Sequence, residues 1–172
     1  ATYLVMGAEI RQSLPGTASF NDVSSDFTPF VEAVTAKGSA FRDYAQFANG
    51  VMKAKASGKF DPTGSVTKAE LAYSLVQSLG LQKQAEAFSG NVTVQYKDER
   101  IAIKDQDSIP ADLKAYVQLA LDLNILNAQF SVTQGKYDLV PTVQATFNPS
   151  EQVLRGDFAV AFSRHHEAFF TN

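Results

Sequence analysis

The chain of 172 residues contains no cysteine and no tryptophan, and it has only two methionines and two histidines. Without cysteine there is no disulfide, no thiolate nucleophile and no cysteine-based structural zinc site. Charge is also sparse, because 18 acidic and 15 basic side chains leave a formal net charge of −3. Such a surface does not suit a polyanion, so nucleic acid is not an expected partner.

Long apolar runs are missing as well, although 45% of the residues are hydrophobic and 13 of them are phenylalanine. No run approaches the roughly 20 residues that a membrane-spanning helix needs. The apolar content is nevertheless sufficient for a core, which excludes intrinsic disorder. We therefore expect a folded chain without a membrane span or a cofactor. The shortage of histidine and cysteine favours binding or scaffolding over catalysis.

A short pattern occurs twice, at residues 60–72 and 147–159, with a constant offset of 87 positions. Each copy has an aromatic-Asx-Pro turn, then a β-branched residue, a cation, an acid and two apolar residues. Upstream, Gly50 matches Asn124 at an offset of 74, and both residue types close helices in the left-handed conformation. The change of offset predicts a 13-residue insertion in the second copy. Its alternating apolar residues indicate a β-hairpin over residues 129–146.

Apolar periodicity and turn residues predict helices near residues 1–14, 28–37, 41–49, 68–79, 110–124 and 153–169, with a short strand at Val92, Val94 and Tyr96. The predicted fold class is therefore mainly α, a bundle of two helical repeats with a small β-hairpin insertion in the second. Residues 1–16 are interpreted as the terminal helix of a preceding module. Residues 17–90 form the first module and residues 91–172 the second, whose hairpin insertion lies at residues 129–146. The openings Phe20-Asn21-Asp22 and Tyr96-Lys97-Asp98 are taken as equivalent.

The first copy resembles the signature of S-layer homology modules, in which a Phe-x-Pro segment precedes an Ile-Thr-Arg-Ala-Glu-Phe-Ala helix start. Here Phe60-Asp61-Pro62 is followed by Val66-Thr67-Lys68-Ala69-Glu70-Leu71-Ala72, and Phe20-Asn21-Asp22-Val23 is similar to the family's Phe-x-Asp-Val opening. The resemblance extends over residues 20–88 and 96–169. It implies the C-terminal part of an exported bacterial protein, located in the cell wall or S-layer, whose modules bind cell-wall polysaccharide.

The residues of this signature also have a physical interpretation of their own. Thr67 and Glu70 have the spacing of a capping box, in which two side chains bind the unpaired amides of a helix start. Lys68 places a cation beside that helix start, where the dipole disfavours it, so an anionic partner is expected, either a ligand or a carboxylate of the protein. Arg155 is the matching cation of the second copy. Lys68 and Arg155 are thus the predicted ligand-binding residues.

Three other motifs have simpler interpretations than a functional site. Arg155-Gly156-Asp157 spells an integrin-binding tripeptide, but the repeat places it at a helix start and not in an exposed loop. The adjacent His165 and His166 point about 100° apart on a helix, so they are not a zinc-binding pair, and a cation near a helix C-terminus explains them. No metal site is expected. The acidic residues fit a solvated loop and lack the calcium-loop pattern: Asp98, Glu99, Asp105 and Asp107.

Two functional hypotheses from different classes remain. In the first, the chain is a non-catalytic cell-envelope anchoring module that binds anionic secondary cell-wall polysaccharide. In the second, glycan binding is lost, and the chain is a protein-interaction or dimerisation domain of an exported enzyme such as a protease, with the hairpin at residues 129–146 as the contact element. Self-association would favour the second hypothesis, and a monomer that pellets with cell walls would favour the first. No catalytic motif is present, so a glycan-active enzyme is the third and weakest reading.

Overall fold

The computed structural model describes residues 18–38 and 48–171, which contain five α-helices, one turn of 3-10 helix and four short strands. The helices are α1 (Thr28–Thr35), α2 (Lys68–Ser78), α3 (Gln82–Ala87), α4 (Lys114–Asp122) and α5 (Arg155–Thr171), and the 3-10 turn spans Gln106–Ser108. The strands are β1 (Thr93–Tyr96), β2 (Glu99–Ala102), β3 (Gln129–Thr133) and β4 (Thr142–Thr146). Each sheet is a two-stranded antiparallel pair, β1 with β2 and β3 with β4.

The predicted mainly-α bundle is wrong. The described residues are 37% helical and 16% strand, with two small sheets. The short strand predicted at Val92, Val94 and Tyr96 is present as β1, and the missed element is its partner β2, which follows a turn at Lys97 and Asp98. Lys97 takes the left-handed conformation there (φ 51°), a role in which Asn or Gly would have given a visible signal. Residues 99–102, expected in a solvated loop, therefore form strand β2.

The first compact unit combines the described residues up to Ser65 with Tyr73–Gln84. Helix α1 buries Val31, Ala33 and Val34, and the last two belong to a cluster with Val51. The expected left-handed conformation at Gly50 is not found. Instead, a β-carbon at Gly50 would lie 2.5 Å from the backbone carbon of Thr35, so glycine is required there by the close approach of two backbone segments.

The second compact unit combines residues 66–72 with the chain from Ala85 onward. Its core contains five fully buried apolar side chains. Val117 lies on helix α4, and the other four lie directly beside a strand or in the turn after that helix: Val92, Ile103, Ile125 and Phe147. Gln118 on α4 accepts a hydrogen bond from the amide of Thr93 and donates to the carbonyl of the same residue, which fixes β1 to the helix. The division of the chain into modules at residues 16 and 90 stays a prediction.

Most of the predicted helices are present, but the two copies do not form one repeated helical module. Helices α1, α2, α4 and α5 lie where periodicity placed them, whereas α3 was not expected. Asn124 has the predicted positive φ of 54° after α4. The predicted helices at residues 1–14 and 41–49 lie outside the described residues, apart from residues 48 and 49, which are not helical.

Candidate functional site

The two signature segments pair with each other at the backbone. The amides of Lys68 and Ala69 donate to the carbonyls of Glu151 and Pro149 (2.9 and 3.1 Å), and the amide of Val153 donates to the carbonyl of Val66 (2.9 Å). Thr67 and Gln152 form an antiparallel bridge between these bonds. The start of helix α2 is therefore held against the turn that follows Phe147, and the side chains of both segments meet there.

Thr67 and Glu70 make the reciprocal hydrogen bonds of a capping box at the start of α2. The amide of Thr67 donates to Oε2 of Glu70 (2.8 Å), and the amide of Glu70 donates to Oγ1 of Thr67 (3.3 Å). The Thr67 hydroxyl also donates to Glu70 Oε2 (3.0 Å). These bonds satisfy amides that a helix start leaves unpaired. They fix the backbone from which the Lys68 side chain extends.

Lys68 is half-buried, and its ammonium stands 4.7 Å from the centre of the Phe147 ring. Burial lowers the pKa of this ammonium, and the carboxylates of Glu151, Asp105 and Asp157 oppose that shift. Among the described residues, Lys68 Nζ has no hydrogen-bond acceptor and no ion-pair partner in contact. The ammonium is thus oriented by an aromatic ring and surrounded by negative charge, with its three donors available to a ligand.

Lys68 opens into a cleft of about 210 Å³ in the second unit. The cleft has an apolar wall, three amide side chains, two cations and two carboxylates, from Lys68, Ile125, Leu126, Asn127, Gln129, Glu151, Gln152, Val153, Asp157, Val160, Ala161 and Arg164. Its formal charge is therefore balanced. Amides and carboxylates that hydrogen-bond hydroxyl groups, next to apolar surface for a ring face, suit a polar ligand of the size of one or two sugars.

Arg164 is a cleft residue that sequence reasoning missed. It donates from Nη1 to Oδ1 of Asn127 (2.9 Å), which ties helix α5 to the loop after α4. Asp157, Val160, Ala161 and Arg164 follow the i, i+3, i+4, i+7 pattern of one helix face, and all four line the cleft. That periodicity could have identified Arg164, whereas the search for a second copy of Lys68 led to Arg155.

The predicted cation Arg155 is exposed in the first turn of α5 and is not among the residues that line the cleft. Its neighbours in sequence, Val153 and Asp157, do line it. Leu154, which replaces the capping threonine of the first copy, is exposed, and its amide donates to Oδ2 of Asp157 (3.4 Å). Half of a capping box is therefore retained at this helix start.

The remaining candidate motifs lie in helix α5, in positions that packing and helix formation explain. The Arg155-Gly156-Asp157 tripeptide lies within the first turn of α5. His165 is buried and stacks between Phe162 and Phe169, with ring centres 6.2 and 6.4 Å away, so it packs as a core residue. No three metal-ligating side chains gather at one point within residues 18–38 and 48–171.

The acidic residues of the second half have separate positions. Asp98 lies in the β1–β2 turn, Glu99 lies in β2, and Asp107 pairs with Lys114 (3.5 Å). Asp105 accepts hydrogen bonds from the amides of Phe147 and Asn148 (2.8 and 2.7 Å). These four residues do not form a single solvated loop.

The comparisons with known proteins connect this site with one family. The model of the S-layer homology domain matches residues 47–72, a segment that includes the capping box and Lys68. Comparison with curated proteins and comparison with solved structures each gave no match. None of the helices in the described ranges has the length and apolarity to cross a bilayer.

S-layer homology domains anchor proteins to cell-wall polymers, and their presence indicates a protein associated with the cell surface or cell wall. The match stops at Ala72, so it includes the start of α2 but none of the other cleft walls. The match at residues 47–72 thus supports the S-layer homology family, the one that the signature of the first copy predicted.

Proposed function

We propose that this chain is a non-catalytic anchoring domain that binds anionic secondary cell-wall polysaccharide through the cleft beside Lys68. The observation that carries the proposal is the half-buried Lys68 ammonium, which lies in the family-matched segment and has no acceptor in contact among the described residues. An acidic sugar substituent would supply that acceptor. A charge-assisted hydrogen bond in such a partly desolvated place is stronger than one between neutral groups.

The rest of the cleft supports a glycan as the ligand. Asn127, Gln129 and Gln152 present both donors and acceptors to sugar hydroxyls, while Val153 and Val160 provide apolar surface for the faces of the rings. Glu151 and Asp157 accept hydrogen bonds from hydroxyl groups and also keep the Lys68 ammonium charged. Arg164 is a second cation for the acidic groups. We propose that Arg155, being exposed near the cleft residue Asp157, contacts the glycan outside the cleft.

The anchoring function places the parent protein outside the cell, in the wall or the S-layer. S-layer homology domains are non-catalytic anchoring modules. Any enzymatic activity would therefore belong to another part of that parent. An exported enzyme held at its site of action by this domain is consistent with the location in the wall and with the non-catalytic character of the domain.

Sedimentation with isolated cell walls tests the proposal directly. We expect Lys68→Ala to weaken binding about tenfold or more, because one charge-assisted hydrogen bond is worth about 1.5–3 kcal/mol. Lys68→Arg keeps the charge and introduces the family's usual residue, so it should bind at least as well as the unsubstituted chain. Binding should weaken as salt is raised and disappear with walls whose polysaccharide has been chemically removed.

Lys83→Ala is the matched control, because Lys83 is an exposed lysine on α3 and is not among the residues that line the cleft. Circular dichroism establishes that each variant is folded before the walls are added. Wild-type pelleting by a folded Lys68→Ala variant would rule out this role for Lys68. Equal pelleting with stripped walls would show that peptidoglycan, and not the polysaccharide, is the ligand.

A further inference from the structure

Strand β3 has an open hydrogen-bonding edge. In the described part of the chain, β3 pairs with β4 alone. The other edge of β4 is covered, because the carbonyl of Ala145 accepts a hydrogen bond from the amide of Lys104 (2.8 Å) and Ile103 bridges to Ala145. The unpaired edge of this sheet is therefore that of β3.

The pairing register identifies the backbone groups that face this edge. Phe130 lies opposite Ala145, whose carbonyl points away from β3 toward Lys104. Because a residue's amide and carbonyl point to the same side of an extended strand, Phe130 and Ala145 are a non-hydrogen-bonded pair. The amide and carbonyl of Phe130 thus face outward, and those of Val132, two residues further along, do the same.

The hairpin of β3 and β4 exposes more large apolar side chains than any other described element. Five of the eleven large apolar side chains that are exposed in residues 18–38 and 48–171 lie on it: Phe130, Val132, Tyr137, Leu139 and Val140. Leu139 is 99% exposed and Tyr137 is 88% exposed. Natural edge strands are protected by charges, proline or bulges, whereas β3 (Gln-Phe-Ser-Val-Thr) has neither a charge nor a proline, and its pairing with β4 is continuous.

We propose that a second copy of this chain occupies the β3 edge, with two β3 strands paired antiparallel about a twofold axis at Ser131. Phe130 then lies opposite the partner's Val132, and these two residues exchange both backbone hydrogen bonds. The twofold axis repeats the pair, which gives four hydrogen bonds and a continuous four-stranded sheet. Phe130 and Val132 share one face of the sheet, so each of the two Phe130–Val132 pairs also places an aromatic ring beside a β-branched side chain.

The strand selects a copy of itself for two reasons. Phe130 and Val132 are the two residues of β3 whose backbone groups face outward. Only the register centred on Ser131 pairs both of them with the corresponding residues of the second copy. A shift by two in one direction places Val132 opposite the partner's Ala128, which is buried, and a shift in the other direction places Phe130 beyond the end of the partner strand. Moreover, an uncharged strand meets its own copy without the like-charge repulsion that prevents most edges from self-pairing.

Single cysteines test this register cleanly, because the chain has none of its own. In the proposed dimer Ser131 faces the partner's Ser131 in a non-hydrogen-bonded pair, with α-carbons about 4.5 Å apart, inside the range a disulfide allows. The two copies of Thr133 lie about 14 Å apart. Under mild oxidation we expect Ser131→Cys to give an about tenfold higher yield of covalent dimer than Thr133→Cys, which is also exposed on the same strand.

Sedimentation equilibrium without cell walls provides the second measurement, and it is independent of glycan binding. The mass of the unsubstituted chain should rise with concentration toward that of a dimer. Val132→Lys should remain monomeric because it places a charge in the pairing face, while Val132→Thr should still dimerise. Val132 is 61% exposed, so neither change removes a core residue. A parent chain that stays monomeric, or equal crosslinking at residues 131 and 133, overturns the proposal and leaves the edge to a strand of another protein.

Discussion

The two Asx-Pro turns are built alike, but the helix starts that follow them are not. In the first turn the carboxylate of Asp22 accepts hydrogen bonds from the amides of Phe60 and Asp61 (3.0 and 2.9 Å). In the second, Asp105 holds the amides of Phe147 and Asn148 in the same way. The Asx residues both have positive φ, 59° for Asp61 and 57° for Asn148. In both turns, a carboxylate that is distant in sequence accepts two backbone hydrogen bonds and so stabilises the strained conformation.

The helix after the first turn begins with every amide paired. In α2 the amides of Lys68 and Ala69 donate to carbonyls of the second signature segment, and that of Glu70 donates to Thr67. In α5 the amides of Arg155, Gly156 and Asp157 have no acceptor among the described residues. The start of α2 therefore has no backbone donor left for a ligand, so Lys68 can act only through its side chain.

The largest expected effect is a loss of stability, and it should differ between Asp105 and Asp22, the two carboxylates that bind the turns. Asp105→Asn should lower the free energy of unfolding by about 3 kcal/mol, because it weakens two charge-assisted hydrogen bonds that hold the turn at the fully buried Phe147. Asp22→Asn should have a smaller effect, because Asp22 is accessible to water and Phe60 is only half-buried. Urea unfolding followed by circular dichroism measures both. Equal losses would show that the two turns contribute alike despite their different burial.

Local patterns predicted the helix starts, but not the partners that complete them. The spacing of Thr67 and Glu70 indicated a capping box, and alternating residues indicated a hairpin at residues 129–146, because each signal lies within a few residues. The bond from Asp105 to Phe147 spans 42 residues. Matching the openings by sequence gave Asp98 as the counterpart of Asp22, whereas Asp105 has that position. A pairing at such a distance depends on the tertiary fold and leaves no local spacing to detect.

The candidate site shows the same division between local and distant information. Lys68 was identified because a cation at a helix start is locally unfavourable, and that argument needs only the neighbouring residues. The cleft around it is formed by the loop after α4, the second signature segment and one face of α5, which meet only in the folded chain. Sequence matching could therefore suggest Arg155, while the fold brings Arg164 to the cleft.

The second prediction removes the capping residue at the start of α2 and introduces one at the start of α5. Thr67→Ala should destabilise the chain by about 1 kcal/mol, because the amide of Glu70 loses its acceptor. Leu154→Thr should stabilise it by about 0.5–1 kcal/mol, because a threonine there could complete the box whose other half, the bond from the Leu154 amide to Asp157, is already present. Leu154 is 68% exposed, so its replacement costs little apolar burial.

The midpoint of thermal unfolding measures both changes, and Leu154→Ala is the control that removes the leucine without adding an acceptor. A Leu154→Thr variant no more stable than Leu154→Ala would mean that the start of α5 is not limited by its missing cap.

The smallest effect is expected in acid and concerns the first turn alone. The amides of Phe60 and Asp61 lower the pKa of the Asp22 carboxyl below its usual value of 3.8. A carboxyl whose pKa is lower in the folded chain than in the unfolded chain stabilises the fold above the unfolded value, and that contribution is lost as the pH falls through the folded value. The parent chain should thus lose this contribution below about pH 4, whereas Asp22→Asn should not. A carboxyl carbon titration by NMR that gives Asp22 an ordinary or raised pKa would contradict the hydrogen bonds on which the comparison of the two turns depends.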